Sequence, residues 1–202
     1  MDYRFYHAIN EFVVDHAWLG RVVSAFEKWG VLVFGAATVL LWLFARPGGS
    51  AKWKFASASA LASAALALLV NRLIAKAWDR PRPFASHPSA HVWGGRSHDP
   101  SFPSDHASAA FAIGFAVLFF DRLVGTIFLA AALLIAVGRV VVGAHYPGDV
   151  GAGLLVGLAC AIVVTRLARP LLAWLVRFAS RLTDPVLAPV WNRAETARRS
   201  RA

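Results

Sequence analysis

Charge is scarce in this chain. Only 16% of its 202 residues are Asp, Glu, Lys or Arg, where a soluble domain carries about 25%. Cysteine is nearly missing as well. The single Cys160 sits in an apolar run, so no intrachain disulfide is available and the redox compartment is left open. The first residues mix Asp2, Arg4, Glu11 and Asp15 with apolar side chains. They lack the basic region and apolar core of a secretory leader, so no cleavable signal peptide is expected. Among His87, His91, His98, His106 and His145 there is no helical His-x-x-x-His pair and no Cys-x-x-Cys pattern beside them, which argues against a zinc site. No repeat and no low-complexity segment interrupts the chain.

What fills the space is apolar. Hydrophobic residues make up 58% of the chain, and they fall in long runs. A membrane-crossing helix needs about 20 mostly apolar residues. The pattern predicts five of them, over 30–45, 55–77, 104–120, 123–142 and 149–167. The first is short unless it reaches back toward Phe26. The second is rich in Ala and Ser, which allow close helix approach. Two flanking stretches, 3–27 and 171–182, interleave apolar and charged residues. They read as interfacial amphipathic helices, either of which is a candidate sixth span. The expected fold is therefore an all-α, polytopic membrane helical bundle of five to six spans, forming one domain over 1–202.

The net charge of +10 is distributed to suit a membrane rather than nucleic acid. Arg46, Lys52 and Lys54 join the first two spans, and eight arginines lie between Arg166 and Arg201. The positive-inside rule places both regions in the cytoplasm. With five spans, the N-terminus, the 78–103 loop and the turn at His145 then share the outer face. Nearly all the unusual polar residues collect there, and polar groups at a membrane are functional candidates by default.

Three clusters stand out. Lys76 to Pro83 reads Lys-Ala-Trp-Asp-Arg-Pro-Arg-Pro. A proline after each of Arg80 and Arg82 biases the chain toward extended backbone, and guanidinium planes match phosphate oxygens. The competing use of these cations is snorkelling at the interface. Pro103-Ser104-Asp105-His106 opens the third span. Unpaired backbone N–H groups there favour an anion, Ser104 adds a hydroxyl, and His106 exchanges a proton near neutral pH. The plainer use of Ser104 is helix capping. Arg139 to Asp149 closes the fourth span and opens the fifth. His145 and Asp149 are four apart, so a carboxylate can orient the imidazole and leave its other nitrogen as nucleophile or base. An interfacial salt link among Arg139, Asp149 and His145 is the alternative. Together the clusters offer charge clamps, a nucleophile and an acid, the needs of phosphoryl transfer without a metal.

These residues resemble the signature of the type 2 phosphatidic acid phosphatase superfamily, which includes vanadium haloperoxidases: Lys-x6-Arg-Pro, Pro-Ser-Gly-His and Ser-Arg-x5-His-x3-Asp. The third motif is matched in spacing from Arg139 through His145 to Asp149, with Gly138 in place of the serine. In the second, Asp105 replaces glycine. In the first, five residues separate Lys76 from Arg82. Asn71-Arg-Leu-Ile74, Arg80-Pro-Arg-Pro-Phe84 and Ser101-Phe-Pro-Ser-Asp-His-Ala107 are most similar to the small bacterial undecaprenyl-diphosphatases of the bacitracin-resistance type.

The resemblance implies a metal-independent membrane enzyme with no cofactor that releases phosphate from undecaprenyl diphosphate. It implies that His145 attacks phosphorus and forms a phosphohistidine, oriented by Asp149. Arg82, Arg139 and Ser104 would hold phosphate oxygens, with Lys76, Arg80 and Asp105 as further contacts. His106 would protonate the leaving oxygen and then activate water. Its partners would be a polyprenyl (di)phosphate lipid and the bilayer, not nucleic acid. Phosphatidylglycerophosphate, phosphatidic acid and lipid A phosphatases share the signature. From other classes, a non-catalytic lipid-binding or transport protein would not need His106, His145 and Asp149 together. An intramembrane serine protease would want a Gly-x-Ser-x-Gly setting, which is missing around Ser104.

Overall fold

The structure is a computed structural model that describes residues 2–45 and 50–199, with the side chains at 28, 31 and 193–199 left aside. Arg46, used above for topology, lies outside the described residues. The chain forms α1 (Asp2–Asp15), α2 (Ala17–Leu43), α3 (Lys52–Ala77), α4 (Pro83–Ser86), α5 (Asp105–Leu118), α6 (Arg122–Val141), α7 (Pro147–Ile162), a π-helical turn (Val163–Leu167) and α8 (Arg169–Arg199). Among the described residues there is no strand. The expected all-α membrane bundle is what the chain builds.

Among the described residues four helices are long and apolar enough to cross a membrane: α2, α3, α6 and the 21-residue run Pro147–Leu167 formed by α7 and the π turn. Their outward side chains are lipid-like, with Leu32, Leu134 and Leu155 each more than 60% exposed. The fifth expected span, α5, has 14 residues, a length of about 21 Å at the usual helical rise. It survives as a short helix because it lies at the centre. Ala107, Ala112, Ala116 and Val117 are fully buried, and α3, α6 and α7 pack around it. A helix apolar on every side belongs inside a bundle.

Small residues set these distances. A Cβ at Gly157 would stand 2.7 Å from the Ala112 nitrogen and 2.8 Å from the Ser108 oxygen. Glycine there lets α7 lie directly on α5.

The first span differs from its expected start. The helix begins at Ala17 rather than near Phe26 or Gly30, and Glu27 is accommodated within it by its bond to Arg139 on α6. The N-terminal amphipathic stretch is thereby divided between α1 and the first turns of α2. At the opposite end, Lys54 binds Asp184 at 2.5 Å and the Trp42 indole donates to Thr183 at 3.2 Å, which ties α8 to α3 and α2. α8 is amphipathic, with Leu171, Trp174, Phe178 and Leu182 exposed along one stripe.

Candidate active site

His145 sits in the turn between α6 and α7 and is only 2% exposed. The turn forms because Gly143 adopts φ +80°. A Cβ at that position would meet the His91 carbonyl oxygen at 2.2 Å, so only glycine fits both the dihedral and the space. The backbone N–H groups of Ala144 and His145 then close onto the Arg139 carbonyl at 3.1 and 3.2 Å. This holds Arg139 and His145 in one rigid unit.

The imidazole is clamped at both nitrogens. Nδ1 lies 2.8 Å from the Ser101 carbonyl oxygen. A carbonyl only accepts, so Nδ1 carries the proton. Nε2 is therefore the lone-pair nitrogen, and Nη1 of Arg82 donates to it at 3.2 Å. Burial pushes the His145 pKa below its ordinary value, and the charges of Arg139 and Arg82 push it further down against the opposing pull of Asp149. The ring is thus neutral near pH 7, as a nucleophile must be.

Asp149 takes a place one step back from the expected one. Its Oδ2 is 3.6 Å from Nδ1 of His145, beyond a hydrogen bond. It accepts instead from Ser101 Oγ at 2.5 Å and from the Tyr146 N–H at 2.9 Å. Ser101 thereby joins carboxylate to imidazole: its hydroxyl donates to Asp149 and its carbonyl accepts from His145. Asp149 is fully buried, and a buried carboxylate needs a cation. Arg80 supplies it, with Nη1 at 2.6 Å from Asp149 and Nη2 at 2.6 Å from Asp2. Arg80 also lies over the Tyr146 ring at 4.2 Å. Arg80, expected as a further phosphate contact, has its guanidinium engaged by two carboxylates here.

Arg82 is fixed by donation to the carbonyls of Asp99, at 2.8 Å, and Ala144, at 3.3 Å. Ser104 precedes α5 at its N-cap position but makes no side-chain capping bond. Its backbone N–H donates to the Asp149 carbonyl at 3.1 Å. Its hydroxyl is buried with no partner, a costly state that an arriving acceptor would relieve.

Two chambers back onto the 139–145 turn. One of about 590 Å³ is lined by His145, Arg82, Lys76 and Asp105 together with Arg72 and His98. Lys76 therefore reaches the space beside the candidate nucleophile despite its shortened spacing. Asp105, expected as a further phosphate contact, lines this chamber and accepts from Asn71 at 2.7 Å. The second chamber, of about 780 Å³, holds His106 and Arg139 with Glu27, Ser24 and Trp93. His145 lines the first chamber and His106 the second, with Arg82 and Arg139 near enough to both rings to act on their charge. Among the described residues no group of three or more His, Cys, Asp or Glu stands together as metal ligands would.

The sequence reading did not single out Glu27, Asp2 or Ser101. Arg139 Nη1 binds Glu27 at 2.6 Å, so its carboxylate partner lies on α2. Asp2 also accepts from the Gly148 N–H at 2.9 Å. The 86–101 loop is held by the two N-terminal helices: Asn10 pairs with both the carbonyl and the N–H of His91, and Ser24 donates to the Trp93 carbonyl at 2.6 Å. Those partners come from segments far away in sequence, and only an unexplained acid in an apolar helix signals them.

Comparison with known proteins gives the family. The model of the PAP2 superfamily matches residues 56–172, and the chain belongs to that superfamily, which makes it a lipid phosphatase by family. It is 29% identical to undecaprenyl-diphosphatase BcrC of Bacillus subtilis, over 88% of this chain and 91% of the relative. It is 34% identical to decaprenylphosphoryl-5-phosphoribose phosphatase of Mycobacterium tuberculosis, over 78% of this chain and 85% of the relative. The fold is similar to that of LpxE from Aquifex aeolicus, with TM-score 0.68 and 23% identity over 82% of this chain and 94% of the other.

Proposed function

We propose that the chain hydrolyses undecaprenyl diphosphate to undecaprenyl phosphate and phosphate through a phosphohistidine on His145. The observation that carries this reading is the state of the imidazole. Nδ1 is committed to the Ser101 carbonyl while Nε2 faces Arg82 beside the 590 Å³ chamber.

In the proposed reaction Nε2 attacks the terminal phosphorus and the diphosphate P–O bond breaks. Positive charge develops on the ring as it does so. The Ser101 carbonyl and, behind it, Asp149 stabilise that charge. Arg82, Lys76, Arg139 and the unpartnered Ser104 hydroxyl take the phosphoryl oxygens, in place of a metal ion. His106 gives a proton to the departing lipid phosphate and then takes one from water, which releases phosphate from His145.

The undecaprenyl substrate is favoured by the relationship to BcrC. A second reading, hydrolysis of a phosphate monoester on a lipid, is favoured by the similarity to the decaprenylphosphoryl-5-phosphoribose enzyme. Phosphatidylglycerophosphate and phosphatidic acid fall in this class. The site is proposed to face the extracytoplasmic side of a bacterial plasma membrane. Lys52, Lys54, Arg166 and Arg169 all lie at or beyond the other ends of the crossing helices, where cytoplasmic anionic lipid favours them.

The test is phosphate release by purified protein in detergent from undecaprenyl diphosphate, phosphatidic acid and phosphatidylglycerophosphate, with His145→Ala as control. Preference for the isoprenoid diphosphate, lost in the variant, supports the first reading. Preference for a monoester moves the substrate assignment, and release that persists in His145→Ala removes the mechanism.

A further inference from the structure

Glu27 is the only acidic residue of α2, and its side chain is 7% exposed. A carboxylate in a membrane-crossing helix is expensive to bury, and such a group is kept for a purpose. Its partner is Arg139 of α6, at 2.6 Å from Nη1 to Oε2. Both residues line the 780 Å³ chamber that holds His106.

The pairing has an uncommon geometry. Arg and carboxylate usually meet fork to fork, with two parallel bonds. Here one bond is made, and Oε1 of Glu27 and Nε of Arg139 are buried without partners. A pair serving only to join two helices would gain from closing the second bond. Held by one nitrogen, Arg139 retains donors for a further anion, and its side chain remains 16% exposed.

Gly138 is the second observation. Glycine inside a helix is less favourable than alanine, so its presence needs a local reason. A Cβ at Gly138 would stand 3.1 Å from Glu27 Oε1 and 3.4 Å from Glu27 Cγ. A side chain at 138 would press on the Glu27 carboxylate and on Val23, which would have to give by a few tenths of an ångström. Glu27, Gly138 and Arg139 therefore form one arrangement, in which α2 reaches across to aim a guanidinium held by α6.

We propose that Glu27 is a positioning residue for Arg139, presenting its guanidinium to the phosphate of a lipid substrate beside His106. This rests on the phosphatase reading above. It adds that α2 completes the phosphate site, although none of the three motifs lies on that helix.

The experiment measures two quantities on purified protein in detergent: affinity for inorganic phosphate by calorimetry, and kcat/KM for undecaprenyl diphosphate. Glu27→Ala, Gly138→Ala and Arg139→Gln are compared singly and in pairs, with Tm recorded for each. Glu27→Ala is expected to weaken phosphate binding and lower kcat/KM by tenfold or more. Gly138→Ala is expected to do the same in the parent and to cost nothing further when Glu27 is already Ala. Neither change should add to the loss in Arg139→Gln. Glu27→Asp should recover part of the phosphate affinity.

Unchanged phosphate affinity in Glu27→Ala with a lower Tm would mean a helix staple and would overturn the proposal. Losses that add fully to that of Arg139→Gln would overturn it too. A parent protein that binds phosphate but releases none from the lipid ends the diphosphatase reading, and the affinities still decide the role of Glu27. A parent that binds no phosphate overturns both.

Discussion

Nε2 of His145 stands 3.2 Å from Nη1 of Arg82, so the cation that would receive a phosphate oxygen also holds the candidate nucleophile. This contact couples binding to protonation. Arg82 depresses the His145 pKa together with burial, the larger cause, and with Arg139. Removing the guanidinium therefore raises that pKa. Arg82→Gln should lower kcat/KM by about 10²–10³-fold, the usual loss on deleting one oxyanion donor. The remaining activity should show its acid limb at higher pH than the parent, because protonated imidazole now persists further upward. A pH profile of kcat/KM checks the sign; a limb that stays put or moves down would remove the coupling.

Lys76 and Arg80 should separate by the property they affect. Lys76 lines the chamber beside His145, so Lys76→Ala should weaken substrate use while leaving Tm near that of the parent. Its loss should be smaller than that of Arg82→Ala, since Lys76 is exposed and does not touch the imidazole. Arg80→Ala removes the cation from fully buried Asp149. Breaking such a pair costs about 3–5 kcal/mol, so its main effect should be on unfolding in detergent. Equal Tm values for the two variants would reject this division.

Ser101→Ala tests the link between Asp149 and His145. The substitution removes the hydroxyl bonded to Asp149 at 2.5 Å but keeps the carbonyl that binds Nδ1. Activity should fall by about tenfold, less than in Asp149→Asn, because the imidazole keeps its tautomer. A variant as damaged as Asp149→Asn would show that the hydroxyl, not the carbonyl, orients the ring.

Gly143→Ala should be severe without touching the chemistry. Its φ of +80° and the His91 carbonyl at 2.2 Å from a Cβ leave no relaxed place for a methyl group. We expect a lower Tm and lost activity together, read from thermal unfolding and phosphate release. Chelation should spare the parent enzyme, since arginines provide the positive charge. Activity lost in EDTA and restored by a divalent metal would reverse that expectation.

Much was legible in the sequence for a physical reason. Apolar runs of membrane length have few alternatives to helix, so the crossing helices α3, α6 and α7 fall close to their expected ranges. The clusters at 76–83, 103–106 and 139–149 are polar groups at the ends of apolar helices, where their cost makes them conspicuous. Arg82 touches His145 at 3.2 Å and the Ser104 N–H donates to the Asp149 carbonyl at 3.1 Å, through contacts between short segments at one end of the bundle.

Tertiary structure decided the pairings. Nothing local distinguishes Arg80, which neutralises Asp149, from Arg82, which faces His145, although both precede proline. The ring proton of His145 goes to a backbone carbonyl, and every residue carries one, so composition could not select Ser101. Glu27 stands 112 positions from Arg139 in sequence. Only the packing of α2 against α6 brings that carboxylate to the space left open at Gly138. Spacing along a helix determined which residues share an end of the membrane; the distances between helices determined which of them touch.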